Sequence, residues 1–213
     1  MQWYQEEIAR LARLPVVPPG LRPKVVFYGS STFTGWPNLA VCFPQVQAVN
    51  LGFGGSTLAA CAWFFERVVP AHRPDVLLLY AGDNDLGDGR TAEEVVLFFD
   101  HLLAAIRVRL GPIPVGFVAI KPSPVRQSLR AAIGQANGII RQRVAAAGPP
   151  LYYLDLYTPM LDELGLPRPA LYAPDGLHLS SQGYALWQRE IGLWFNQLLG
   201  LGSGEAGSKG GEE

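Results

Sequence analysis

Apolar residues gather in five short runs, at about residues 24–28, 46–50, 75–81, 113–120 and 151–155. The runs are rich in Val, Ile, Leu and Tyr and hardly alternate with polar residues. That pattern predicts strands buried on both faces, as in a parallel sheet. Between the runs the spacing becomes helical, over 56–68, 92–110, 126–147 and 181–199. The 92–110 segment places Val95, Phe98, Phe99, Leu102, Leu103 and Ile106 on one face. Thr91 and Glu94 stand before it at capping-box spacing. Ser56 is the expected cap of the 56–68 helix. A short amphipathic helix is expected over 2–13, with Ile8, Leu11 and Leu14 apolar, and Pro-Val-Val-Pro-Pro-Gly closes it.

Alternating strand and helix along the whole length predicts an α/β fold, a doubly wound three-layer α/β/α sandwich. No internal repeat and no linker interrupts it. One domain over 1–200 is expected, with 1–20 as N-terminal helix and proline-rich lead-in. The Gly-, Ser- and Glu-rich tail, 201–213, is expected to be disordered.

Composition narrows the partners. Of 213 residues 49% are apolar, enough for a sizeable core, and the net charge is −1. That balance gives no electrostatic case for nucleic acid or for an anionic membrane. Cys42 and Cys61 are too few for a disulfide framework and form no Cys-x-x-Cys. The first ten residues carry acids where a signal peptide needs a basic region and an apolar run. No apolar stretch reaches membrane-spanning length. A soluble, cytoplasmic protein is the expectation, and oligomeric state has no signature in the sequence.

In open α/β sheets, sites form beyond the C-terminal ends of the strands. Polar clusters occur there four times: Gly29-Ser30-Ser31, then Asn50-Leu51-Gly52-Phe53-Gly54-Gly55-Ser56, then Ala81-Gly82-Asp83-Asn84-Asp85, and finally Asp175-Gly176-Leu177-His178. Each alone is an ordinary turn. Together they hold every part of a serine-based acyl-transfer site. A serine needs a base, and a histidine serves near neutral pH. The histidine needs an acid to fix its tautomer. Asp175 and His178, three apart, fit on one side of a tight turn. The oxyanion needs fixed donors, which a glycine N–H and an Asn amide supply.

Other chemistries fit less well. A dinucleotide-binding turn needs glycine at position 57 and finds Thr57. A calcium loop starting at Asp83 is broken by Gly87 and Asp88. The Gly-x-Ser-x-Gly elbow of another hydrolase class fails at Phe33. His72 and His101 have no partners at metal-ligand spacing and read as structural. Phe64, Phe65, Trp187, Trp194 and Phe195 read as core or helix-packing residues.

The ordered set of four blocks resembles the SGNH (GDSL-type) hydrolase family, over residues 25–178. The resemblance implies Ser31 as nucleophile and Asp175 and His178 as the other triad members. It implies an oxyanion hole of the Ser31 N–H, Gly55 and Asn84. It also implies a flavodoxin-like five-stranded parallel sheet in order 2-1-3-4-5, with no metal or cofactor in catalysis. One position departs from the family: Ser30 stands where the first block has aspartate, which makes Ser30 a formal rival to Ser31 as nucleophile or else a residue on the substrate side or behind the site. Asp83 and Asp85 flank Asn84 and either hydrogen-bond behind the site or cap the loop. Lys121 lies in Ile120-Lys121-Pro122-Ser123-Pro124-Val125-Arg126, which resembles a Lys-Pro-Ser-Pro loop of some small bacterial members. By that likeness it lines the acyl or leaving-group side; by residue type alone it is a proline-stiffened loop with Lys121 and Arg126 in solvent.

The expected activity is hydrolysis of a small-molecule carboxylic ester, with short acyl or acetyl groups favoured, through an acyl-enzyme on Ser31. An acyltransferase, thioesterase or lysophospholipase would use the same residues. A catalytically silent ester- or glycan-binding module is the non-enzymatic alternative, but none of its expected losses is present.

Overall fold

The computed structural model describes residues 1–200, so the 201–213 tail lies outside the described residues. Five strands form: β1 (Lys24–Gly29), β2 (Gln47–Gly52), β3 (Val76–Tyr80), β4 (Val115–Val118) and β5 (Leu151–Leu154). They make one parallel sheet in order β2-β1-β3-β4-β5, as expected. The helices are α1 (Gln5–Ala12), α2 (Ser31–Thr34), α3 (Leu39–Cys42), α4 (Leu58–Val68), α5 (Asp83–Gly87), α6 (Ala92–Leu110), α7 (Arg130–Ala147) and α8 (Ser181–Leu198).

β1, β3 and β4 are buried along their whole length, which is why their runs show no alternation, while the edge strands β2 and β5 are only partly buried. In β1, Val26 and Tyr28 join a core under α1, α4, α6 and α7, while Val25 and Phe27 join a second core under α2, α3 and α8. Phe64 and Phe65 lie in the first core, Trp187 and Phe195 in the second, and Trp194 packs against the second. His72 is buried, and burial, with the Lys24 charge adding to it, lowers its pKa. His101 is exposed. Among the described residues no helix is long and apolar enough to cross a membrane.

Several boundaries move for local reasons. β1 and β2 run on to Gly29 and Gly52, which pair with each other. The apolar run at 113–120 yields a shorter β4. Pro112 and Pro114 lack an N–H for the ladder, and Asn137 takes both backbone groups of Ile120, at 2.8 and 2.9 Å. The cap of α4 is Thr57 rather than Ser56: the Thr57 hydroxyl accepts from Ala60 N–H at 3.0 Å. The capping box of Thr91 and Glu94 forms as expected. Residues 124–129 form a 3-10 turn with Arg126 out of helical geometry, so α7 begins only at Arg130.

Register fixes where the chemistry falls. Gly29 lies opposite both Gly52 and Tyr80, so β1, β2 and β3 end in line. The chain leaves all three at the same edge of the sheet, into the segments that begin with Ser30, Phe53 and Ala81.

Candidate active site

The turn after β1 is made possible by Gly29. Its φ is +146°, and a Cβ there would stand 1.8 Å from the Tyr80 carbonyl oxygen. Ser30 N–H donates to that same oxygen at 2.9 Å, and the Ser30 side chain is buried at 1% exposure. Ser31 is half-buried and opens α2. The first N–H groups of a helix have no intrahelical acceptor, and Ser31 N–H has no other among the described residues. Asn50 ties α2 to the end of β2: its Nδ2 donates to Phe33 C=O at 2.6 Å and its Oδ1 accepts from Gly52 N–H at 2.9 Å. From α8, Tyr184 donates to Thr32 C=O at 3.0 Å. The backbone carrying Ser31 is therefore held from two sides.

Asp175 and His178 meet within their own turn. His178 Nδ1 lies 2.6 Å from Asp175 Oδ2, while Asp175 Oδ1 accepts from the N–H groups of Leu177 and His178 at 2.9 and 3.0 Å. These bonds, the His178 side chain first, hold the Asp175 carboxyl well below the usual carboxylate range. A carboxylate facing Nδ1 places the imidazole proton there and leaves Nε2 as an acceptor. The turn is closed by Ala173 N–H to His178 C=O and by Gly176, at φ +65°. Val125 N–H bonds Gly176 C=O at 3.3 Å, linking this turn to the loop after β4. No hydrogen bond joins Ser31 Oγ to His178 Nε2 among the described residues; such bonds are often long in unliganded enzymes.

Asn84, on α5, is clamped. Its Nδ2 donates to Ser56 C=O at 3.1 Å, and its Oδ1 accepts from Arg126 Nη2 at 2.8 Å. The guanidinium can only donate and the carbonyl can only accept, so both partners force the same amide orientation. One Nδ2 hydrogen remains. Gly55 stands next to Ser56, with φ +65° and open space where a Cβ would be. Its N–H has no acceptor among the described residues.

The flanking aspartates have separate roles. Asp85 is fully buried and accepts from Leu58 and Ala59 N–H at 2.7 and 3.4 Å, capping the start of α4. Burial pushes its carboxyl up to about 6 against those bonds and Arg90. Asp83 Oδ2 lies 3.3 Å from Lys121 Nζ and 3.2 Å from Arg126 Nη1. Lys121 is 2% exposed and Arg126 is half-buried, so neither is the solvated side chain that composition suggested. Burial lowers the Lys121 pKa, and Asp83 opposes that shift. Residue type alone misplaces both; the link of Arg126 to Asn84 spans 42 residues and leaves no local signal.

Among the described residues no three His, Cys, Asp or Glu side chains converge to hold a metal ion. A cavity of about 290 Å³ lined by Leu103, Ile106, Ile113 and Leu151 sits at the start of β4 and β5, away from all of these groups.

A model of the GDSL-like lipase/acylhydrolase family matches residues 10–186. The chain belongs to this family. It is an esterase- or lipase-type enzyme, and the matched span contains all four polar blocks. Solved structures share the family's three-layer fold. A GDSL-like lipase from Bacteroides thetaiotaomicron superposes with a TM-score of 0.75 at 21% identity, over 92% of this chain and 97% of its own. An acetyl esterase, solved as a serine-to-alanine mutant with an acetate ion, gives 0.68 at 19% identity, over 85% of this chain and 100% of its own. A carbohydrate esterase of family 3 from Talaromyces cellulolyticus gives the same values. A search of curated proteins found no match.

Proposed function

We propose that this GDSL-family enzyme hydrolyses short-chain carboxylic esters through an acyl-enzyme on Ser31. The observation that carries the reading is the 2.6 Å contact of His178 Nδ1 with an Asp175 carboxylate itself held by two backbone N–H groups. It leaves Nε2 as the base. In the first step Ser31 Oγ attacks the ester carbonyl carbon and its proton passes to His178 Nε2. The carbonyl oxygen becomes an oxyanion, received by the N–H groups of Ser31 and Gly55 and by Asn84 Nδ2. As the C–O bond to the alcohol breaks, the imidazolium gives that proton to the departing oxygen. Water then attacks the acyl-enzyme, His178 takes its proton, and Ser31 is regenerated with release of the carboxylic acid.

A short acyl group is favoured because the site is open. Asp175 and His178 are about half exposed, and nothing lies within 4 Å on the Cβ side of Gly55. An acetyl esterase and a carbohydrate esterase of the same fold accord with that reading. The same residues serve transfer to another alcohol if it outcompetes water.

The test is a panel of p-nitrophenyl esters of rising chain length, with acyl-CoA and acetylated sugars, run on wild type, Ser31→Ala and Ser30→Ala. Ser31→Ala is expected to lower kcat by roughly four to six orders of magnitude, and Ser30→Ala to retain most activity. A fluorophosphonate is expected on Ser31; an adduct on Ser30 would overturn the assignment.

A further inference from the structure

We propose that the N-terminal helix sets the Gly55 N–H in place, with Tyr4 and Glu7 as positioning residues. The inference rests on the reading of Gly55 as an oxyanion donor. Both side chains come from before residue 10, where the match to the family begins.

Tyr4 ends a 3-10 turn just ahead of α1 and is 4% exposed. Its ring packs edge-on against Phe53 and Phe64, with centroids 5.4 and 6.1 Å away. That packing aims the hydroxyl, which donates to Gly55 C=O at 2.8 Å. One turn further, Glu7 Oε2 accepts from Gly54 N–H at 2.9 Å. Tyr4, Ile8 and Leu11 bury the inner face of this segment, so both polar contacts are anchored to the core.

The arrangement has a specific consequence for residues 53–56. They form a turn closed by Ser56 N–H to Phe53 C=O at 3.3 Å, with Gly55 at φ +65°. The peptide between Gly54 and Gly55 is the middle one, and turn types differ by how that unit is rotated. Two adjacent glycines make rotation cheap, because neither has a Cβ to oppose it. A rotated peptide would present the Gly54 carbonyl to the site in place of the Gly55 N–H. An acceptor would then face the oxyanion. Glu7 holds the peptide before this unit and Tyr4 holds the peptide after it. With both neighbours fixed, the middle N–H keeps its direction, and it is the one left without a partner.

The experiment measures kcat and KM for p-nitrophenyl acetate and for its thiono analogue, in which sulfur replaces the carbonyl oxygen. Sulfur is larger and a weaker hydrogen-bond acceptor, so the oxygen-to-sulfur rate ratio reports the oxyanion hole. Tyr4→Phe and Glu7→Ala are each expected to lower kcat about five- to tenfold, less than outright loss of a donor. KM should stay within about twofold, and the rate ratio should fall in parallel. Glu7→Gln, whose amide oxygen can accept from the same N–H, is expected to restore most of the loss. Thermal unfolding checks that the variants are folded at the assay temperature. Unchanged kcat and ratio in folded Tyr4→Phe and Glu7→Ala would overturn the proposal, as would a loss confined to KM. A wild type indifferent to sulfur would overturn the oxyanion reading itself, and this inference with it, so the two failures are distinct.

Discussion

Arg126 Nη2 donates to Asn84 Oδ1 at 2.8 Å, and the same guanidinium lies 3.2 Å from Asp83. Asn84 is thereby turned so that its oxygen is occupied and one amide hydrogen is left without an acceptor among the described residues. Asn84→Ala is expected to lower kcat by about 10²–10³ with little change in KM, the cost of one oxyanion donor. Arg126→Ala should lower kcat by about tenfold, because the freed amide samples the wrong orientation. In the double variant the Arg126 change should add little, since it acts through Asn84. Steady-state kinetics on the four proteins of this cycle are the check; an additive cycle would place Arg126 on the substrate instead.

Asp175 supplies the pH prediction for activity. Its carboxyl is held well below the usual range, first by His178 and then by the Leu177 and His178 N–H groups. It therefore stays ionised throughout pH 4–9. The acid limb of log kcat/KM against pH should then follow a single protonation, with slope one; a slope of two would show Asp175 titrating as well. Asp175→Asn should cost up to roughly 10⁴ in kcat by favouring the wrong imidazole tautomer.

Asp85 supplies the pH prediction for stability. Its pKa is raised from 3.8 to about 6 because burial disfavours the charge. Between those two values the unfolded chain loses its proton first, so stability falls as pH rises through the window. Below 3.8 the folded protein keeps the full benefit. The loss should be on the order of 2–3 kcal/mol. Denaturant titrations at pH 4, 5, 6 and 7 should show it in wild type and not in Asp85→Asn.

The Lys121–Asp83 pair is buried, with side chains 2% and 6% exposed. Removing one partner leaves a charge without compensation. Asp83→Ala is expected to cost about 3–5 kcal/mol of stability. The pair exchange Asp83→Asn with Lys121→Met should recover most of it. Equilibrium unfolding of the three proteins tests this; a double variant no better than Asp83→Ala would show that Arg126, not Lys121, is the partner that matters.

The sheet was legible because its central strands β1, β3 and β4 are apolar on both faces, and because glycine stands at or just after the ends of β1, β2 and β3. The turns that carry Ser31, Gly55 and Asn84 were legible for the same reason, because a parallel sheet delivers its strand ends to one edge; Asp175 and His178 lie well beyond the end of β5 and were marked by their i, i+3 spacing instead. Ser56 and Thr57 were not separable by type, since both are capping residues; only the position of Ala60 N–H chooses Thr57. Lys121 and Arg126 read as solvated because charge usually is, and their partner Asp83 lies about forty residues earlier. Tyr4 and Glu7 were invisible as site residues. Their contacts span 51 and 47 residues and involve backbone atoms, which leave no trace in side-chain pattern.

The bonds that seat His178 on Asp175 are made within residues 173–178, and the Val125 N–H to Gly176 C=O bond ties that turn to the loop after β4. The acid and base thus travel as one cassette. A longer or shorter loop between β5 and Ala173 leaves the imidazole seated on its carboxylate, because no residue of that loop takes part in the seat. The seating of base on acid is in this way independent of the length of the chain that leads to it.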